Sequence, residues 1–313
     1  MRCQSRRLSR CPSCAEITRN DWAAIARSGV FGEGGRPVEG FRYYFLTLTA
    51  PSFGAVDHAG AALEPSGYDY LGQVYWNQLS SRLWNASVSR LRRVMPSVEF
   101  FAVREVQRRG VLHFHVVLRV RPAETLSDWG VMHIARSARV ENGASGQHVE
   151  WGTQADCRTI GGSVGDTARS IWYVSKAIGY SLKDIDAGVA ASVLEHHRNL
   201  AYAARFLMRC PRCGDKPVEC RAPQHRNLGA PLAVVSYSRT TQHRSGWSLL
   251  GLTRRLQRSA RTAWARREWL KAAVCYGEAM DLFGLHDQFE QEASRRILED
   301  LVGARWALAP PSV

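Results

Sequence analysis

The chain has 313 residues, 45% of them hydrophobic, and a formal net charge of +14. It is long enough to bury a sizeable core, in one large domain or two modest ones. The charge, carried mostly by arginine, points to a polyanionic partner and to nucleic acid first. No run is long and apolar enough to span a bilayer, and the opening "MRCQSRRLSR" has no apolar stretch behind it to serve as a secretory leader. A cytoplasmic protein with no membrane partner is expected, its eight cysteines reduced or metal-bound rather than paired in disulfides.

In chain order, residues 1–40 read as a basic cysteine segment followed by a glycine-rich linker or loop, "SGVFGEGGRPVEG". "FRYYFLTLTAPS" is a strand by its aromatic and β-branched content. Residues 74–94 read as a basic helix with Leu79, Leu83 and Leu91 along one side, stopped near Pro96. "VEFFAVREVQ" and "VLHFHVVLRV" are strands joined by a glycine-containing turn. A second helix over "LSDWGVMHIARSA", a short strand over "GQHVEWGT" and a helix over "TARSIWYVSKAIGYSLKDID" follow. This unit, 41–190, is followed by a helix and second cysteine segment, 191–245, and an arginine-rich helical region, 246–313. The order predicts an α+β fold, an antiparallel sheet with helices packed on one face.

In "REVQRRGVLHFHVVLRV", Leu112, Phe114, Val116 and Leu118 share one face, and His113 and His115 share the other with Val111 and Val117. Folding the hairpin about Arg109 sets Glu105 opposite His113 and Val103 opposite His115. Cross-strand Cβ atoms lie about 4.5–5.5 Å apart, so Glu105, His113 and His115 converge on one patch. Two imidazoles and a carboxylate suit a divalent ion with open positions, as in phosphoryl-transfer sites. Gln107 has the same parity and can replace or assist Glu105.

In "SIWYVSKAIGYSLKDI", Ile171, Val174, Ile178, Leu182 and Ile185 form a core-facing stripe. Tyr173, Lys176, Tyr180 and Lys183 form the opposite face, with the two phenols seven residues apart and projecting the same way. A tyrosine hydroxyl can attack phosphorus when lysines and a metal stabilise the developing charge.

Cys11-x-x-Cys14 and Cys210-x-x-Cys213 have the spacing of zinc knuckles. Together they would form one structural Zn²⁺ site stapling distant parts of the chain. The competing local set is Cys210, Cys213, Cys220 and His225, which leaves Cys3, Cys11 and Cys14 one ligand short. Cys157 and Cys275 have no such spacing.

The succession "FLTLTAPS", "EVQRRGVLHFHVVL" and "WYVSKAIGYSLKD" resembles the three motifs of HUH endonucleases, and most closely those of rolling-circle plasmid replication initiators. The opening "CQSRRLSRCPSCAE" is similar to the cysteine segment that begins many plasmid initiators, and the likeness covers most of residues 1–225. It implies a central antiparallel sheet of about five strands bearing the metal-binding histidines, with the nucleophile on a helix beside it. His113 and His115 match the motif histidines, Glu105 the acidic third ligand, and Tyr173 with Lys176 the nucleophile motif. "YSLKDID" also matches the single-tyrosine motif of some initiators, so Tyr173, Tyr180 or both can be the nucleophile. The histidines precede the tyrosines, which favours initiators over relaxases.

The resemblance implies Mg²⁺- or Mn²⁺-dependent nicking and joining of single-stranded origin DNA through a covalent 5′-phosphotyrosine. Aromatic side chains would stack the unpaired bases, Tyr43, Tyr44, Trp84 and Phe101 being available. No G-x-x-x-x-G-K-[ST] loop occurs, so a host helicase as well as a host polymerase would be required. The rival expectations are a non-catalytic zinc-dependent DNA-binding regulator, a hydrolase that uses water, and an HUH transposase.

Overall fold

The computed structural model describes residues 11–31, 38–141, 146, 148–160, 190–210, 212–213, 217–226, 228–230, 234–242, 246–261, 263 and 267. Its centre is a five-stranded antiparallel sheet of order β6-β1-β3-β2-β7. The strands are β1 (Arg42–Leu48), β2 (Glu99–Val106), β3 (Leu112–Val120), β6 (Ala155–Ile160) and β7 (Val235–Tyr237). A separate hairpin pairs β4 (Arg139–Glu141) with β5 (His148–Glu150).

The principal core lies on one face. Leu112, Phe114, Val116 and Leu118 of β3 and Tyr44, Leu46 and Leu48 of β1 meet two helices there. The first is α2 (Tyr70–Val94), which brings Trp76, Leu79, Leu83, Trp84, Val88 and Leu91. The second is α3 (Asp128–Arg136), which brings Val131 and Ala135. Both helices start where the sequence provides an oxygen for orphan N–H groups: Asp69 accepts from Gly72 at 2.8 Å and Ser127 from Gly130 at 3.1 Å.

The opposite face is covered too, which differs from the one-sided packing expected. Its second core joins Tyr43, Phe101, Val103, Val117, Ile160 and Val235 of the sheet to Ile25, Ala26 and Val30, and to Trp247 and Leu252. Ile25 and Ala26 belong to α1 (Pro12–Arg27), which lies within the segment read as basic and cysteine-bearing. Its helical pattern was hidden because one buried position is Asp21, which pairs with Arg254 at 3.5 Å and with Arg261 at 2.8 Å. Trp247 donates from Nε1 to the carbonyls of Ile25 and Ala26, both at 3.1 Å. Its ring lies so close to Gly29 that a Cβ there would sit 2.0 Å from Cε2, so only glycine fits.

Arg119 of β3 ties this second core together from inside the protein. It is 1% exposed and donates to the carbonyls of Gly29 at 2.7 Å, Trp247 at 2.9 Å and Gly246 at 2.7 Å. The guanidinium also lies over the rings of Phe41 and Trp247. A planar five-donor group suits three convergent carbonyls as no hydrocarbon could. Arg119→Met is therefore expected to lower unfolding free energy by about 3 kcal/mol, because it strands buried acceptors. Exposed Arg121→Met should stay within about 0.5 kcal/mol of wild type. Urea denaturation of the two variants checks this.

Candidate metal and nucleic-acid site

The β2–β3 register pairs Glu105 with His113 and Val103 with His115, as the hairpin pattern predicts. β1 sets Thr47 beside His115, and β6 sets Asp156 beside Thr47. Thr47, Glu105, His113, His115 and Asp156 thus share the second face, at the end away from Arg119. Burial of Leu112, Phe114, Val116 and Leu118 fixes this arrangement, since a one-residue slip would invert every side chain.

His115 is 4% exposed, with its Nε2 3.1 Å from Glu105 Oε2. Its ring stacks on Phe45, with centroids 6.0 Å apart and planes at 23°. The His113 ring stands edge-on to it at 4.5 Å between centroids. His113 Nδ1 is buried with no hydrogen-bond partner among the described residues. Burial, with the neighbouring His115 adding to it, pushes the His113 imidazole down to about 4, against the opposing pull of Glu105. It is therefore neutral at physiological pH, the form that ligates metal. A half-buried carboxylate, a neutral imidazole with an orphan nitrogen and a second imidazole fit a divalent cation.

The turn that delivers His113 is held from two sides. Gly110 has φ +77°, and a Cβ on it would lie 2.6 Å from Leu200 Cδ1, so the position requires glycine. From α2, Gln73 donates to Arg109 O at 2.7 Å, and Asn77 donates to Gly110 O at 2.9 Å while accepting from Leu112 N at 3.1 Å. From α4 (Ala191–Tyr202), His196 Nε2 lies 3.2 Å from Arg109 O and His197 Nε2 2.6 Å from Arg108 O. His196 Nδ1 accepts from Ala62 N at 3.3 Å. That acceptor role requires the neutral ring, in accord with a pKa lowered by burial. None of these holders was singled out from sequence; the adjacent pair in "LEHHRN" was the available signal.

A second cluster lies beyond α4. Cys210, Cys213, Cys220 and His225 present one ligand atom each, all within 4.8 Å of one another. Cys210 and Cys220 sulfurs are 3.7 Å apart, and Cys213 Sγ lies 3.6 Å from His225 Nε2. A tetrahedral zinc with Zn–S near 2.3 Å has edges of about 3.6–3.8 Å. His225 Nδ1 is engaged by Ala204 O at 2.7 Å, leaving Nε2 as the ligand atom. A Cys₃His cluster able to hold a metal such as zinc is thus present. It is the local one of the two sets read from sequence, and Cys11 and Cys14 are not part of this group. Cys11 stands at the N-cap position of α1 and Cys14 is buried in its first turn. Among the described residues this is the group that gathers three or more such ligand atoms so tightly; Glu105, His113 and His115 are more loosely arranged.

Tyr173, Lys176 and Tyr180, together with Cys3 and Cys275, lie outside the described residues. The stacking aromatics expected from sequence are core residues instead. Tyr44, Trp84 and Phe101 are 0% exposed and Tyr43 is 7% exposed, because the alternation that makes them strand or helix residues also turns them inward. No described helix is long and apolar enough to cross a membrane.

In the metal-free protein the His113 Cε1–H resonance should titrate near pH 4 rather than 6.5. Between those values the unfolded chain takes up the proton first, so stability is lost as pH falls from 6.5 toward 4 and is unaffected above 6.5. NMR titration checks this, and a midpoint at the ordinary value would refute the desolvated setting.

Comparison with known proteins places these features in a family. The chain matches the family described as "Replication initiator protein, pSAM2" over residues 1–60 and 57–275. It is similar to a replication initiator protein of Streptomyces ambofaciens, 32% identical over 213 residues, covering 50% of this chain and 46% of that one. The match therefore spans about half the length of that curated relative. Among solved structures, the hypothetical protein ORF119 from Sulfolobus islandicus rod-shaped virus 1 matches at 12% identity and a TM-score of 0.26, over 47% of this chain and 88% of that one. On the extent of the first of these matches, the chain belongs to the replication initiator family.

Proposed function

We propose that this protein initiates rolling-circle replication of a plasmid by nicking and rejoining one strand at the origin, as an HUH endonuclease. The observation that carries the reading is the convergence of Glu105, His113 and His115 on one face of the sheet, within a chain of the replication initiator family. A Mg²⁺ or Mn²⁺ ion held by these three would polarise the scissile phosphate. Glu105 exchanges its hydrogen bond with His115 for that role. The nucleophile is Tyr173 or Tyr180, with Lys176 beside the phosphate. The tyrosine oxygen forms a bond to phosphorus and gives its proton to solvent, from which the leaving 3′ oxygen takes one up. The bond from phosphorus to the 3′ oxygen breaks, and that oxygen leaves as a 3′-hydroxyl able to prime synthesis. The 5′ end stays on the protein, and the reverse step rejoins the strand. Host helicase and polymerase would act on the product. Zn²⁺ in the Cys₃His cluster is structural on this reading.

The compact Cys₃His geometry favours one rival, a zinc-dependent DNA-binding regulator without catalysis. The two readings separate on single-stranded origin oligonucleotides with Mn²⁺. The enzyme forms a covalent protein–DNA adduct that is lost in the Tyr173→Phe/Tyr180→Phe double variant. His113→Ala with His115→Ala should lower the adduct by about 100-fold or more. Binding of origin DNA without any adduct would identify the regulator, and cleavage that survives both tyrosine changes would identify a water-using hydrolase.

A further inference from the structure

We propose that the Cys210/Cys213/Cys220/His225 group, loaded with zinc, locks a clamp on the hairpin turn Arg108–Gly110 and so sets the position of His113. This rests on the reading of Glu105, His113 and His115 as a metal site.

The segment carrying the four ligands has two arms, and both end on the turn. Upstream, α4 runs into a π-helical turn, Ala203–Leu207, that leads to Cys210. His225 grips this turn through Ala204 O. Arg205 reaches back to Cys220 O at 2.9 Å and Val218 O at 2.6 Å. One to two turns earlier on the same helix, His196 and His197 hold Arg109 O and Arg108 O. Downstream of His225, Gly229 N donates to Gln224 O at 3.0 Å, which brings Leu228 under α2. There Leu228 O accepts from Asn77 Nδ2 at 2.8 Å, and the same amide donates to Gly110 O.

The arms themselves are seated on α2, where Leu200, Ala203, Ala204 and Met208 of one and Leu228 of the other share an apolar cluster with Val74 and Tyr75. The segment between them has little beyond the ligand cluster to hold it. The apolar cluster of this segment consists of Cys210, Cys220 and Ala222, with Cys213 packed against it. So little buried hydrocarbon cannot order the intervening loop, and a metal's binding energy is the term that can. His196, His197 and Asn77 are positioning residues, since each acts on His113 through the turn's backbone.

The test uses the full chain, without DNA. Amide exchange is followed by mass spectrometry and Mn²⁺ affinity by electron paramagnetic resonance. The samples are zinc-loaded protein, protein stripped of zinc with a chelator that is then removed, and His197→Gln, which keeps all four ligands. Both perturbed samples should exchange about tenfold faster over residues 105–115, at unchanged rates over β1, and bind Mn²⁺ about three- to tenfold more weakly. Arg119→Met, which loosens the protein elsewhere, should leave Mn²⁺ affinity unchanged. The proposal is overturned by unchanged exchange over residues 105–115 in either perturbed sample. It is equally overturned by acceleration shared with β1, or by a loosened turn with undiminished Mn²⁺ affinity. Wild-type protein that binds no Mn²⁺ would overturn the nicking reading and with it the role assigned to the clamp, whereas failure to nick DNA despite these shifts would count against the nicking reading alone.

Discussion

The pairing of β2 with β3 is the constraint on which the site depends. The apolar residues of β3 enter the principal core as an alternating set, so the remaining positions must face the other way. Glu105 is brought opposite His113 by the length of the turn, and the turn is possible because Gly110 accepts a positive φ beneath Leu200. Two imidazoles in a largely buried strand would ordinarily be unfavourable. Here one bonds to a carboxylate and stacks on Phe45, and the other keeps an unengaged nitrogen beside it. Neutrality of His113 follows from the same burial that holds it in place.

The strands and helices around this hairpin were legible because their periodicities are unbroken. β1, β2, β3, α2 and α3 lie where the alternation and the leucine spacing put them. The register followed from counting out from Gly110. Elements that depend on distant partners were not legible. α1 buries Asp21, a choice that makes sense only with Arg254 and Arg261 in view. β7 spans Val235–Tyr237 and β6 spans Ala155–Ile160, short edge strands with no clean alternation. The cysteine spacing announced a metal site but left its ligand set open, since pairs of thiols two residues apart are compatible with several partners. Aromatic residues taken as exposed stacking surfaces proved to be core, because aromatic content marks burial at least as strongly as it marks nucleic-acid contact.

The two candidate metal groups differ in the way their chemistry requires. Three thiolates and an imidazole, closed around a tetrahedral space, suit a borderline-soft ion that stays put. A carboxylate and two imidazoles on a sheet face would suit a harder ion. The Cys₃His group sits in a segment with hardly any apolar core of its own, whereas Glu105, His113 and His115 are embedded in the sheet.

The second core has a consequence for how the protein comes into being. Ser28 bonds to Ser248 across 220 positions of sequence, and the Trp247 ring fills the space above Gly29. Apart from Ala230, the principal core draws only on residues 44–157, so it can close while the rest is still being synthesised. α1, although it emerges from the ribosome before the sheet, has no complete seat until Trp247 and Leu252 arrive. During that interval Phe101, Val103 and Val117 on the back of the sheet lack the cover that Trp247 and Leu252 provide. The nascent chain therefore passes through a stage with an exposed apolar face, a stage at which chaperone binding or self-association competes with completion.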